Sequence, residues 1–256
     1  MGETSSRQVR RSDEHYTPIA SAYTTSAIHA HGADLARLVE LAPPAPGALV
    51  LDVGTGTGHT GLAFAAAGAS IVGLDLTQAM LAEARTLATK RGVELAPVRG
   101  AAELLPFGDA MFDAVVCRYC AHHFMDVATA IGEMARVVKP GGMVLLDDHV
   151  APEDDAADEF INRLDWLRDP SHQREPRLSE YEGWFAASGL RVVGIEHRRE
   201  RIDADDWFGR ARTAPEREEE ARTLLATAAP ELRELFSVTA DPVGFDLHAV
   251  IVSAVR

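Results

Sequence analysis

Three groups of residues in this 256-residue chain have types and spacings that could do chemistry. The first is Asp52-Val53-Gly54-Thr55-Gly56-Thr57-Gly58, in which three alternating glycines follow an apolar run. Glycines let the backbone adopt positive φ and bring N–H groups close to a ligand. In open α/β sheets such a ligand binds at the carboxyl ends of the strands. The second is Asp75, an acid at the end of the next apolar run. The third gathers Arg118, Tyr119, His122 and His123 after a later run, and His149 beside Asp147 and Asp148 after another. Imidazoles placed there can take a proton near neutral pH, or line and anchor a pocket. Three histidines and two acids near one mouth could also bind a metal. No HxxxH or similar fixed spacing supports one, so no metal is assigned.

The glycine loop admits two readings. Gly56, Gly58 and Gly61 match GxGxxG, with Asp75 as the ribose acid, which would make the chain a nicotinamide oxidoreductase. The alternative uses Gly54, Gly56 and Gly58 with Asp52 inside the strand end. A carboxylate pointed at this crevice repels a pyrophosphate but suits a ligand carrying an ammonium group. S-adenosylmethionine has an amino group and a sulfonium and lacks phosphate, so electrostatics favours it. Cys117 and Cys120 form a CxxC, but Cys117 ends a strand-like run and no further metal ligands accompany the pair. Two free thiols are expected.

The elements that must position these residues are legible as alternation. Strand-like runs at 48–53, 70–74, 93–98, 114–117 and 143–146 alternate with helical periodicity, which argues a parallel sheet covered by helices on both faces. Pro97 cannot donate to a central ladder, so its strand belongs at an edge. Thr77 is expected to cap a helix that Gly92 stops, and Asp126 to cap another. Ser179 with Glu182, and Thr213 with Glu216, read as capping boxes. The expected fold is a Rossmann-like, doubly wound, mostly parallel seven-stranded sheet with an antiparallel last strand and a helical cap. Its parts are an N-terminal helical arm or lid over 1–46, a ligand-binding core over 47–150, a cap insertion over 151–189, and C-terminal strands over 190–256 with a helical insertion at 203–236.

Four segments carry a resemblance: VLDVGTGTG (50–58), VGLDLTQAML (72–81), AAELLPFGDAMFDAVVCRYCAHHF (101–124) and EMARVVKPGGMVLLDD (133–148). In this order and spacing the chain resembles class I S-adenosylmethionine-dependent methyltransferases, in the subgroup that includes the ubiquinone/menaquinone-biosynthesis enzymes. The resemblance implies that Gly54, Gly56 and Gly58 pass under the amino-acid half of the cofactor. It further implies that Asp75 takes both ribose hydroxyls and that Leu76 and Met80 flank the adenine. Where the family usually has an acid, in GDAE, this chain has Ala101, so adenine recognition falls to the Ala102 backbone or to Glu103. Tyr23 of the arm and Arg118 complete the cofactor side. His123, His122 and His149 are the candidates on the acceptor side. A sulfonium methyl is already electrophilic, so alignment and water exclusion carry most of the reaction. All three tryptophans lie in inserted segments, which points to an apolar or aromatic small-molecule acceptor beneath a cap. Arg168-Asp169-Pro170-Ser171-His172 resembles a stretch in some small-molecule members, and reads equally as a turn with a capping serine. The same binding motifs would serve a protein that holds the cofactor without methylating.

Composition bounds the partners. Apolar residues make up 46% and charged residues 25%, ordinary for a globular chain. The net charge of -14, from 39 acidic against 25 basic residues, disfavours nucleic acid and acidic membrane surfaces. No run is long and apolar enough to span a bilayer, and the polar start lacks a secretory h-region. A cytoplasmic monomer or homodimer is expected.

Overall fold

A computed structural model describes residues 14–25 and 30–256. Five strands lie parallel: β1 (Leu49–Val53), β2 (Ser70–Asp75), β3 (Leu95–Arg99), β4 (Phe112–Arg118) and β5 (Val138–His149). Two long strands, β6 (Arg191–Asp203) and β8 (Val243–Val255), extend the sheet, and β8 runs antiparallel to both β5 and β6. The spatial order is β3-β2-β1-β4-β5-β8-β6. The sheet has eight strands rather than the expected seven. The extra strand, β7 (Thr239–Ala240), is a two-residue piece paired with the start of β8. Pro97 sits on β3, the edge strand, where a missing N–H leaves no ladder partner unpaired.

Side chains alternate across the strands and sort the core into two faces. Leu51, Val53, Val115 and Cys117 pack on one face with Ile131 and Met134 of a helix at Val127–Val137 and Phe185 of another at Leu178–Ala187. Val50, Ala114 and Val116 pack on the other with Leu62 and Phe64 of the helix His59–Ala66 and Ala84 of the helix Gln78–Arg91. We label the helices in chain order: α1 (Ala20–Thr25), α2 (Ala33–Leu41), α3 (His59–Ala66), α4 (Gln78–Arg91), α5 (Val127–Val137), α6 (Asp155–Arg168) and α7 (Leu178–Ala187). Three more follow β6: α8 (Ala204–Ala211), α9 (Pro215–Thr227) and α10 (Pro230–Leu235). A further apolar cluster joins Phe160, Leu164, Trp207, Phe208, Leu225 and Phe236 to Ile202, Phe245 and Leu247 at the outer ends of β6 and β8.

Asp126 caps α5 by accepting from Thr129 N, and Gly92 ends α4 at φ +66°. The other expected caps differ. Thr77 holds the N-cap position of α4 without a side-chain cap bond, and its own N–H donates to Asp75. Helix α7 begins at Leu178, and Glu180 accepts from Arg177 N at 2.9 Å, while Ser179 donates to Glu153. Helix α9 begins at Pro215, whose preset φ and absent N–H suit the first helical position. Thr213 therefore lies outside the helix and donates to Arg168 O at 3.0 Å.

Candidate active site

The strand order reverses direction between β1 and β4, and the loops leaving those two strands diverge to open a cleft at their carboxyl ends. The cleft, of roughly 920 Å³, is lined by Gly54–Thr57, Asp75, Leu76, Met80, Ala102, Glu103, Arg118 and Phe124, among others. Gly54 N and Thr55 N both donate to Leu74 O, which ties the glycine loop to β2. Gly54 has φ +70°, and a Cβ there would stand 2.1 Å from Cys120 Sγ, so only glycine fits. Asp75 accepts Gly56 N at 2.9 Å on Oδ2 and Thr77 N at 2.8 Å on Oδ1. Two backbone donors thus fix the carboxylate in the wall of the cleft. Glu103 lines the cleft but its Oε1 accepts Met125 N at 2.8 Å, so it also anchors the start of the α5 segment.

Asp52 is not where the electrostatic argument put it. It shares the parity of Val50, so its side chain turns beneath the loop towards α3 and does not line the cleft. There its Oδ2 accepts Thr55 Oγ1 at 2.7 Å and Gly61 N at 2.8 Å. Burial pushes its pKa up to about 6. Gly58 is likewise absent from the lining and serves the turn into α3 at φ +92°. Gly61 packs α3 onto β2, for a Cβ there would meet Ile71 Cγ2 at 2.7 Å. Cys117 and Cys120 are free thiols; their mutual hydrogen bond lowers the pKa of Cys117 and raises that of Cys120, and burial leaves both above the usual thiol value.

A second cavity, of roughly 640 Å³, adjoins the first. The two share Tyr16, Tyr23, Tyr119 and His123 in their walls. His123 Nε2 lies 2.7 Å from the Tyr16 hydroxyl, which also reaches Asp169 Oδ2 at 3.2 Å. Burial, then the neighbouring His122 ring, push the His123 pKa well below the usual histidine range, so the ring is neutral at physiological pH. His122 Nδ1 lies 2.6 Å from Asp148 Oδ1, and His149 Nε2 lies 3.1 Å from Glu200 Oε2. Burial opposes the charged form of His149, yet Glu200 raises its pKa overall. His122 and His149 line only the second cavity.

That cavity has a mixed lining rather than the apolar one expected. Asp165, Arg168, Asp169, His172, Glu200 and Arg210 line it beside Tyr16, Tyr23, Tyr119, Ile202 and Trp207. The other two tryptophans lie elsewhere. Trp166 is exposed between the guanidiniums of Arg163 and Arg217, at 4.7 and 4.0 Å from its ring centre, and Trp184 packs on the core. Sequence reasoning missed Asp165 and Glu200. Glu200 hid in the charged run at 197–201, where alternation along β6 was the available clue. The stretch 168–172 forms the expected turn, but Ser171 caps no helix, since α7 begins only at Leu178. Arg168, Asp169 and His172 face the cavity, and Asp169 accepts Ser171 N and Ser171 Oγ at 2.7 Å each.

Arg118 is held from behind. Its Nε contacts Asp34 of α2 and lies 3.7 Å from Asp147, which in turn contacts Arg198. Burial pushes Asp147 up to about 8 against these partners. The network was not visible in sequence because it joins the arm, β4, β5 and β6.

A methyltransferase domain family matches residues 51–146, the segment that builds this cleft. The uncharacterized methyltransferase YcgJ of Bacillus subtilis is 40% identical over 242 residues, 93% of this chain and 96% of its own. The chain belongs to the S-adenosylmethionine-dependent methyltransferase family. The crystal structure of YcgJ superposes on this methyltransferase with a TM-score of 0.86, covering 88% of this chain and 99% of that one. The demethylmenaquinone methyltransferase of Thermus thermophilus is 40% identical over 126 residues, 47% of this chain and 57% of its own. With the family shown, the oxidoreductase reading of GxGxxG falls. Among its described residues the methyltransferase has no helix long and apolar enough to cross a membrane.

Proposed function

We propose that the protein transfers the methyl group of S-adenosylmethionine to a small polar molecule held in the second cavity. The observation that carries this reading is the junction, where the cofactor cleft and the second cavity share Tyr16, Tyr23, Tyr119 and His123. A sulfonium at the inner end of the cleft would direct its methyl across that wall.

The glycine loop supplies backbone N–H groups for the amino-acid half, and Asp75 is fixed to receive the ribose diol. Leu76, Met80, Ala102 and Phe124 form an apolar slot of the right chemistry for adenine. Glu103 and the Ala102 backbone stand where Ala101 offers no acid. Arg118 and Tyr23 close the cofactor side.

On the acceptor side His123 orients the nucleophile and does not serve as a strong base. A base works best with a pKa near the working pH, and burial holds this imidazole far below it. Placement in line with the S–CH₃ bond then carries the reaction. The charged side chains of the lining favour a small acceptor with several hydrogen-bonding groups.

The test is calorimetry with S-adenosylmethionine and S-adenosylhomocysteine, followed by a screen of phenols, carboxylates and amines for S-adenosylhomocysteine release. Failure to bind either sulfur ligand would overturn the cofactor assignment. Binding without release across the screen would favour a non-methylating role.

A further inference from the structure

The deep end of the second cavity holds more ligand chemistry than methyl transfer requires. His122, Asp148 and His149 each offer one ligand atom, and these atoms lie within 4.8 Å of one another. Asp148 is fully buried, and its Oδ1 accepts both His122 Nδ1 at 2.6 Å and His149 N at 2.9 Å. Glu175 stands 3.7 Å from His149 Nδ1. It is only 1% exposed, and no N–H or alcohol hydroxyl donates to either of its carboxyl oxygens, whose hydrogen-bonding partner is the neighbouring Asp165 carboxyl. Two buried carboxyls held together without an N–H donor are costly, and Glu175 also faces an imidazole nitrogen.

We propose that His122, Asp148, His149 and Glu175 form a binding site for a divalent transition-metal ion at the floor of the second cavity. Two imidazoles with two carboxylates suit Zn²⁺, Co²⁺ or Mn²⁺, whereas Mg²⁺ and Ca²⁺ prefer all-oxygen sets. Ligands about 2.0–2.2 Å from one tetrahedral ion stand roughly 3.3–3.6 Å apart. Around an ion the His122–Asp148 contact would widen, and the remaining ligand atoms of the cluster, up to 4.8 Å apart, and Glu175 would draw in. His122 and His149 both reach the cavity wall, so a bound ion would lie within reach of an acceptor oxygen.

Charge supports the same site. Asp148, Asp165 and Glu175 are three buried carboxyls in one neighbourhood. A dication bound among them would offset their mutual repulsion.

The inference is independent of methyl transfer, because its test reads the metal directly. Chelator-treated, tag-free protein is titrated with Co²⁺, following visible d–d absorption, and with Zn²⁺ by competition against a chromophoric chelator. A stoichiometric Co²⁺ spectrum of nitrogen–oxygen type is expected, displaced by Zn²⁺ and not by equal Mg²⁺. Glu175→Gln and His149→Gln should each weaken binding at least about tenfold, while His248→Gln, on the far side of β8, leaves it unchanged. Circular dichroism and S-adenosylhomocysteine binding establish that each variant is folded. Absence of saturable Co²⁺ binding by the unaltered protein overturns the proposal, whatever the variants do. So does equal affinity in both folded cluster variants, or a preference for Mg²⁺.

Discussion

Replacing Asp75 by Asn and by Ala should separate two tasks of one carboxylate. Each oxygen accepts one backbone donor, Gly56 N at 2.9 Å and Thr77 N at 2.8 Å. A carboxamide keeps the size but converts one oxygen to NH₂. Whichever way it flips, a donor then faces a donor, at a cost of about 1–3 kcal/mol to the loop. Alanine removes both acceptors but leaves room for water, since the site opens on the cleft. Towards the cofactor, both variants lose charged hydrogen bonds to the ribose diol. A bond to a charged group contributes about 1.5–3 kcal/mol, and two bonds from one carboxylate are not additive. The expected loss is about 2–3 kcal/mol, or a Kd for S-adenosylhomocysteine weakened about 30- to 160-fold. Calorimetric titration measures it, with urea unfolding run in parallel. Asn should bind no better than Ala despite its closer resemblance to Asp. An unchanged Kd in Asp75→Ala would refute the ribose role, and an Asn variant that binds like the unaltered protein would refute the donor–donor conflict.

Asp52→Asn tests the buried acid under the loop. Its folded pKa of about 6 lies above the ordinary aspartate value of 3.8, so the native state holds the extra proton between those values. Stability from this group is therefore greatest below pH 4 and falls as pH rises to about 6, by about 3 kcal/mol in all. Asn does not titrate, so the stability of Asp52→Asn relative to the unaltered protein should rise from pH 4 to 7. A difference in urea midpoints that stays flat with pH would contradict the assignment. Gly61→Ala, with its Cβ 2.7 Å from Ile71 Cγ2, should cost about 1–3 kcal/mol in urea unfolding; equal stability would show that α3 is free to lift from β2. His123→Gln should keep kcat within a few-fold and raise the acceptor KM, and a loss of about 10²-fold or more in kcat would restore the general-base role.

The core of the fold was legible because its signals are local. The runs behind β1 to β5 alternate with helices, Pro97 marks an edge, and Gly54 and Gly56 announce a turn that only glycine can make. Asp75, Leu76, Met80, Ala102 and Glu103 reach the cleft because each follows a strand end along the chain. Asp52 was misread because adjacency to the loop says nothing about which face of β1 its side chain takes, and that parity is set by packing. The tryptophan argument failed in part for a related reason. Tryptophan content indicates buried area but not direction, so Trp207 lines the second cavity while Trp166 spends its ring on two surface arginines. The acids of the second cavity come from α6, β6 and the segment after α6, brought together only by tertiary contact.

Strands β6 and β8 are paired along nearly their whole length, from Arg191 opposite Val255 to Asp203 opposite Gly244. Their inner halves belong to the sheet's own core, through Val250, Val252 and Ala254, and their outer halves to the helical cluster, through Ile202, Phe245 and Leu247. The cap is therefore not a module bolted to a finished enzyme but a continuation of the same two girders. It cannot be grafted onto a relative, or cut away, without taking the ends of two strands with it. Nor can it swing open without breaking their ladder. The segment bearing Tyr16 and Tyr23 is fastened separately, by the buried Ile19 and Ala20 and by side-chain bonds such as Tyr16 to His123 and Thr24 to Glu83.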